Sequence, residues 1–258
     1  AVGGDENNVG PTVQNNEDHI IIRSCTVQNL GDGTTYRIAI LVQSMYTNMN
    51  NITIDSCTIN GVDSHGIAIY ANRYTAITRS CDTVYIGYNN ITNCGMYDNP
   101  LGHNIFLNNA VNVCIIEHNT ITQGSYDADG ICLSQNTYEG EVPKNVIIRY
   151  NDVRITNQPA VFIDAGYNCS ANIYYNLFYV SSMIAYRDAV FIVAYPWASA
   201  VFNIWNNVII CGGNISSSNV LGFYGSGATT AIRNNILVSL GTNVSGNYPF
   251  MTSESPTH

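Results

Sequence analysis

The sequence predicts an all-β solenoid, in which short parallel strands wind into successive coils. An apolar alternation that ends in Asn or Cys recurs about every 30 residues along the chain. No stretch combines a convincing 3.6-residue hydrophobic period with helix caps. Equivalent positions of successive repeats also carry the same residue type. A solenoid explains this because equivalent residues stack about 4.8 Å apart.

Each repeat has an anchor residue that follows a run of mostly β-branched residues. The runs 20–22 and 52–54 precede the anchors Cys25 and Cys57. The later anchors, which predict an interior ladder, are Asn89, Asn119, Asn151, Asn176, Asn206 and Asn234. The spacings are 32, 32, 30, 32, 25, 30 and 28 residues, and Asn207 and Asn235 fit almost as well in the last two coils. An inward Asn at a turn can hydrogen-bond its copies in the coils above and below.

A second apolar strand follows each of the first seven anchors, often after Gly or a short polar residue. These segments are 38–40, 67–69, 105–107, 131–133, 161–163, 190–192 and 221–223. The period is too short for a propeller blade and lacks the Leu pattern of leucine-rich repeats. We expect eight coils of 25–32 residues over residues 19–240, about 38 Å in length. Residues 1–18 would form an extended capping segment and residues 241–258 a polar tail.

The Asn-x-Ile signature of these coils, as in Asn119-Thr120-Ile121, resembles the right-handed parallel β-helix family. Pectate lyases, polygalacturonases and phage tailspikes share that fold. The resemblance covers about residues 15–240 and implies a single-stranded right-handed parallel β-helix. It implies little about function, because one fold hosts many activities. The Gly-His-Gly motif of polygalacturonases and the Asp-Pro-His motif of alginate epimerases are both absent from the sequence.

The chain is unusually poor in charge. Only 10% of its 258 residues are charged, where about 25% is ordinary, and the net charge is −9. The acidic balance argues against a nucleic-acid partner, which would require clustered Lys and Arg. The sequence has no apolar run of 18 residues, so no membrane insertion is expected. A single Lys, eight Cys and abundant Asn, Thr and Tyr favour an exported or cell-surface protein whose signal peptide has been removed.

The cysteines and sequons fit that expectation. Cys25 and Cys57 would stack in adjacent coils, within the Cα range of a disulfide, so they either bond or remain a pair of free thiols. The five glycosylation candidates are Asn51, Asn90, Asn168, Asn214 and Asn243. The spacings of Cys and His predict no metal centre. Calcium could bind at 127–129 or 31–33, although neither segment matches a known calcium loop.

Two further columns of residues carry chemistry. Residues just before the second strand include acids and histidines, so one flank of coils two to four would collect Asp63, His65, His103, Asp127 and Asp129. Carboxylates beside a His can perform acid–base work on a glycosidic bond, although both residue types also favour turns. The aromatic residues near the anchors, which could contact glycans or other subunits, are Tyr85, Tyr88, Tyr150, Tyr174, Tyr175 and Trp205.

Two functional hypotheses follow. In the first, the protein is an extracellular structural or adhesive β-helix that self-associates into a fibre, sheath or spike and binds glycans. In the second, it is a secreted carbohydrate-active enzyme, a hydrolase or lyase, with its cleft on coils two to four. The first is favoured because the low charge and the aromatic rows suit contact with polymers or with other copies of the chain.

Overall fold

Three parallel β-sheets run the length of the molecule, and each contains eight strands. The computed structural model describes residues 19–31, 37–44, 49–71, 81–95, 102–109, 111–123, 128–134, 143–165, 169–183, 188–194, 199–212, 219–225, 228–240 and 250–253. Within each sheet a strand pairs in parallel with the equivalent strand of the next coil. The predicted β-solenoid is therefore confirmed, and the described residues contain no helix.

Every coil contributes one strand to each sheet. The first sheet consists of β1 (Ile20–Arg23), β4 (Ile52–Asp55), β7 (Cys81–Gly87), β10 (Val111–Glu117), β13 (Asn145–Arg149), β16 (Ser170–Tyr174), β19 (Ala200–Trp205) and β22 (Ala228–Arg233). The second consists of β2 (Thr26–Leu30), β5 (Thr58–Val62), β8 (Asn90–Cys94), β11 (Thr120–Thr122), β14 (Asp152–Asn157), β17 (Leu177–Met183), β20 (Val208–Cys211) and β23 (Ile236–Ser239). The third consists of β3 (Ile40–Ser44), β6 (Ile67–Ala71), β9 (Gly102–Asn109), β12 (Ala128–Ser134), β15 (Val161–Ala165), β18 (Val190–Ala194), β21 (Leu221–Tyr224) and β24 (Phe250–Ser253).

The coil has three strands where the sequence pattern suggested two, because a sharp turn divides the first apolar run from the anchor. The residue before each anchor has a left-handed backbone, with φ between 54° and 57°. These turn residues are Ser24, Ser56, Tyr88, His118, Tyr150, Tyr175, Asn206 and Asn234. Asn and His tolerate this region comparatively well, whereas Ser and Tyr adopt it at an energetic cost.

The anchor residues form the predicted interior ladder, with a correction in the last two coils. The observed rungs are Asn89, Asn119, Asn151, Asn176, Asn207 and Asn235. From Asn119 onward, each Oδ1 accepts from the backbone N–H and the side-chain Nδ2 of the preceding rung. Asn206 and Asn234 are turn residues instead, because a left-handed residue cannot direct its side chain into the same interior position.

The top of the ladder is Cys57, whose backbone N–H donates to Asn89 Oδ1 at 2.9 Å. Cys25 and Cys57 occupy the anchor position in coils one and two, and both are free thiols in the structure. Cys57 is buried, whereas Cys25 is exposed in the first coil. Of the two alternatives from the sequence, the structure therefore contains the thiols and not the disulfide.

The core consists of aliphatic residues stacked along the solenoid axis. One column places an isoleucine in every coil of the first sheet: Ile22, Ile54, Ile86, Ile116, Ile148, Ile173, Ile204 and Ile232. Columns facing it from the other two sheets complete a continuous apolar interior. Such burial contributes roughly 25 cal/mol per Å² of apolar surface, which makes the stacked interior the main source of stability.

The solenoid continues beyond the boundary expected from the sequence. Strand β24 lies within the segment predicted as a polar tail, and it pairs with β21. The predicted capping segment 1–18 lies outside the described residues. Among the residues described, no helix is long and apolar enough to cross a membrane.

Replacing Asn207 tests the ladder. Asn207 donates to Ile173 O at 2.8 Å, and its Oδ1 accepts from the Asn176 N–H at 3.0 Å. Asn207→Ala leaves both backbone groups buried and unpaired, so we expect a loss of about 2–4 kcal/mol in the free energy of unfolding. The control Asn206→Gly keeps the left-handed backbone and should change it by less than about 0.5 kcal/mol. Urea unfolding followed by circular dichroism measures both, and equal losses would contradict the assignment of the rungs.

Candidate functional site

Three of the five residues of the predicted acid and histidine column lie close together in the structure, and these three are buried. His65, His103 and Asp129 lie side by side at the start of the third-sheet strands, and they are 2%, 8% and 4% exposed. The rings of His65 and His103 stack with their centroids 5.1 Å apart. His103 Nδ1 lies 3.0 Å from Asp129 Oδ2.

The remaining acids of that column are placed differently. Asp63 is fully buried, and its carboxylate packs against the backbone of coil one, where a Cβ on Gly31 would lie 2.0 Å from Asp63 Oδ1. Asp127 lies outside the described residues, as does Asp32 of the second calcium candidate. Glycoside hydrolysis requires two carboxylates that can reach a sugar. The described residues instead present one carboxylate beside a histidine, both shielded from solvent.

The surroundings of His65 favour the neutral form of its imidazole. Burial, with a smaller effect from His103, lowers the pKa of His65 well below its usual value. Its Nδ1 accepts a hydrogen bond from the backbone N–H of His103 at 3.1 Å, which requires an unprotonated nitrogen. His65 therefore positions the backbone of the next coil and is not set up to exchange protons with a substrate.

The ends of the first-sheet strands and the turns that follow them carry a row of stacked rings, which we call the aromatic flank: Tyr88, His118, Tyr150, Tyr174, Tyr175 and Trp205. Four of them are left-handed turn residues in consecutive coils, and their centroids are 4.7, 4.9 and 5.5 Å apart. Tyr174 and Trp205 stack at 4.6 Å in the adjacent row. Tyr88, Tyr150 and Tyr175 are 57%, 44% and 50% exposed.

The sequence proposed Tyr85 for the same surface, and the structure places its side chain half-buried against the neighbouring coil. Its ring lies over Gly87, where a Cβ would lie 2.4 Å from the hydroxyl oxygen. The hydroxyl donates to Glu117 Oε1 at 3.1 Å. Burial first, and this hydrogen bond second, raise the pKa of Tyr85 to about 12.

The ion pair between Arg149 and Glu117 supports the aromatic flank. The Arg149 guanidinium pairs with Glu117, which is 9% exposed, and also donates to the Tyr174 hydroxyl at 3.1 Å. The Arg149 guanidinium also lies 5.8 Å from the centroid of the Tyr150 ring. Glu117 and Arg149 occupy equivalent positions of adjacent first-sheet strands, 32 residues apart in the sequence. This pair was not predicted from the sequence, and the 32-residue spacing of the repeat was the signal that could have found it.

A pocket of about 320 Å³ lies at the end of this flank and is lined by Asn203, Trp205, Ala231, Arg233 and Asn234. Tyr174 covers one face of the Trp205 indole, so the pocket lies on the other side, toward coil eight. No described carboxylate pairs with Arg233, in contrast to Arg23, Arg149 and Arg154. The pocket thus combines an aromatic face, an available cation and side-chain amides.

The predicted sites of modification are described in part. Asn51 and Asn90 are exposed, as glycosylation requires. Asn168, Asn214 and Asn243 lie outside the described residues. No disulfide joins the eight cysteines. Six of them line the main core as small apolar residues: Cys57, Cys81, Cys94, Cys114, Cys169 and Cys211. Cys132 lies in a separate cluster at the third sheet, and Cys25 is exposed.

Comparisons with models of protein families, with characterised proteins and with solved structures give no match for this chain. Arguments about function therefore depend on the geometry of the site itself.

Removing the Arg149 side chain should lower the free energy of unfolding. Arg149→Met leaves Glu117 largely buried with only the Tyr85 hydroxyl bond, so we expect a loss of about 1–2 kcal/mol in the free energy of unfolding. That is less than the roughly 3–5 kcal/mol of a fully buried pair, because solvent partly screens the guanidinium. Arg154→Met removes the exposed pair with Asp152 and should leave the urea midpoint unchanged. Equal effects of the two substitutions would show that the Arg149–Glu117 pair stabilises the fold no more than the exposed Arg154–Asp152 pair does.

Proposed function

We propose that this protein is an extracellular or cell-surface structural or adhesive β-solenoid, which binds glycans along the aromatic flank and self-associates. The observation that carries the proposal is the continuous row of exposed rings, which ends in the pocket beside Trp205. A row that repeats once per coil suits a polymer whose own units repeat along the same direction.

The stacking geometry indicates how a glycan would be held. Because neighbouring rings of the flank cover each other's faces, the tyrosines offer mainly their edges and hydroxyl groups to a ligand. Trp205 differs, since its face toward coil eight borders the pocket. A pyranose ring can pack on such a face, while the Asn203 and Asn234 amides bind hydroxyl groups. Arg233 would add a bond to a carboxylate if the sugar is acidic.

The remainder of the surface supports an extracellular setting. Only 10% of the residues are charged, and four consecutive turn positions of the flank carry stacked aromatic side chains. Two sequons have exposed asparagines, consistent with a glycoprotein. A surface of this composition is suited to being covered by glycans or by other copies of the chain.

Unpaired strand edges and exposed aliphatic residues support self-association. Among the described strands, those of the first and eighth coils pair on one side only. Ile21 in the first coil is 61% exposed, and Ile236 and Leu240 in the eighth are 59% and 57% exposed. Open parallel edges with apolar side chains favour further strand pairing.

The alternative, a secreted carbohydrate-active enzyme with its cleft on coils two to four, has weaker support. Its acid–base candidates His65, His103 and Asp129 do approach each other, but a polymer cannot reach side chains that are more than nine-tenths buried. The aromatic flank carries no comparable pairing of an accessible acid and base among the described residues.

Glycan binding should depend on Trp205. Trp205→Ala removes the aromatic face that borders this pocket, and we expect at least a tenfold weaker affinity in affinity electrophoresis against a panel of neutral and acidic polysaccharides. Tyr179→Ala, which removes a half-buried aromatic ring from the second sheet, is the matched control and should bind normally. Arg233→Gln should weaken only the acidic polymers. Binding that survives Trp205→Ala would refute this site.

Self-association should depend on the end coils. We expect sedimentation velocity to show oligomers that grow with concentration, and Ile236→Lys to shift them toward monomers because it places a charge on an apolar edge. Thr120→Lys adds the same charge at an exposed position of coil four and should have no effect. Monomers at all concentrations would contradict this part of the proposal.

A further inference from the structure

We propose that His103, Asp129 and Cys132 form a binding site for a single divalent transition metal ion, with zinc as the expected occupant. The ligand atoms of these three residues all lie within 4.8 Å of one another. They are 8%, 4% and 1% exposed. The site lies at the third sheet and is independent of the proposed glycan surface.

The in-register pairing of coils three and four creates the cluster. His103 in β9 pairs with Asp129 in β12, and Phe106 in β9 pairs with Cys132 in β12. Cys132 points outward from the third sheet, where it packs with Ala68 and Phe106 in a small cluster separate from the main core. The imidazole of His103 in coil three therefore lies near both the carboxylate of Asp129 and the thiol of Cys132 in coil four. Cys132 follows Asp129 by three residues in β12.

Unpaired polar atoms indicate that a partner belongs in this space. His103 Nδ1 and Asp129 Oδ1 are buried and have no hydrogen-bond partner. Asp129 Oδ2 lies 3.0 Å from Nδ1, but the two atoms are not aligned as a hydrogen bond. Leaving such groups unsatisfied costs roughly 1–3 kcal/mol each. A cation between them would satisfy both.

The observed spacing suits a metal ion. Zinc binds His nitrogen and carboxylate oxygen at roughly 2.0–2.2 Å, so two such ligands on a tetrahedral ion lie about 3.3–3.6 Å apart. The separation of 3.0 Å between His103 Nδ1 and Asp129 Oδ2 is slightly shorter, so a small rotation of either side chain would accommodate the ion. A metal ion would lie along the lone pair of His103 Nδ1, and a second ligand of that ion would then lie to one side of this direction. Asp129 Oδ2 is in such a position, close to Nδ1 but not aligned with it as a hydrogen-bond partner.

The donor set favours zinc over calcium or magnesium. Calcium and magnesium take oxygen ligands, whereas an imidazole and a thiolate suit zinc and its neighbours. Binding would release the Cys132 thiol proton to solvent, and water would complete the fourth position. His65 supplies an outer contact, because it stacks on the His103 ring and accepts the N–H of the same residue.

Cobalt binding provides a direct test. The 258-residue chain, stripped with a chelator, is titrated with Co²⁺ and then with Zn²⁺. We expect one ion per chain, with the intense thiolate-to-cobalt charge-transfer band that zinc then displaces. Cys132→Ser should abolish the band, and His103→Gln and Asp129→Asn should weaken the affinity at least tenfold. Cys25→Ser, which removes the one exposed thiol, should leave the band and stoichiometry unchanged.

X-ray absorption of the zinc-loaded wild-type protein gives a measurement that does not depend on how well the variants fold. We expect one sulfur at roughly 2.3 Å and nitrogen or oxygen ligands at roughly 2.0–2.2 Å. Absence of stoichiometric binding, a shell without sulfur, or a charge-transfer band that persists in folded Cys132→Ser would each overturn the assignment.

Discussion

The in-register stacking of one coil on the next is the constraint on which the rest of this structure depends. Parallel pairing places equivalent residues about 4.8 Å apart along the axis, so any residue type that repeats along the chain becomes a column. The isoleucine column and the Asn ladder both arise in this way. The ladder then satisfies the backbone groups of a turn that would otherwise be buried without partners.

The same register creates the functional surfaces. A left-handed turn precedes each rung, and three coils place Tyr there despite its poor fit to that conformation. Stacking with the rings of adjacent coils offsets part of this cost and aligns the row. A strained conformation retained in successive coils is more consistent with a role for the exposed rings than with packing alone.

The third sheet uses the register differently. It joins His103, Asp129 and Cys132 in a shielded cluster. A second carboxylate, Asp188, lies on the same side in coil six, where it is satisfied by the Asn219 amide at 2.9 Å and the Tyr224 hydroxyl at 2.6 Å. Burial raises the pKa of Asp188, and these hydrogen bonds oppose that rise. Two buried acids on one sheet thus have contrasting surroundings, since Asp188 has its partners and Asp129 Oδ1 has none.

The sequence by itself determined the solenoid, its coils and most rungs of the ladder, because a column of like residues is visible as a period in the chain. It could not separate Asn206 from Asn207, since only the backbone turn decides which of two adjacent amides faces inward. The sequence also could not predict that the acid and histidine column is buried. His65, His103 and Asp129 form the expected column, but whether a column on the outside of a sheet meets solvent depends on what packs over it. The pairing of Glu117 with Arg149 and the approach of Cys132 to His103 likewise join residues that are far apart in sequence. Tertiary structure alone decided them, because only the alignment of one coil against the next specifies which side chains share a neighbourhood.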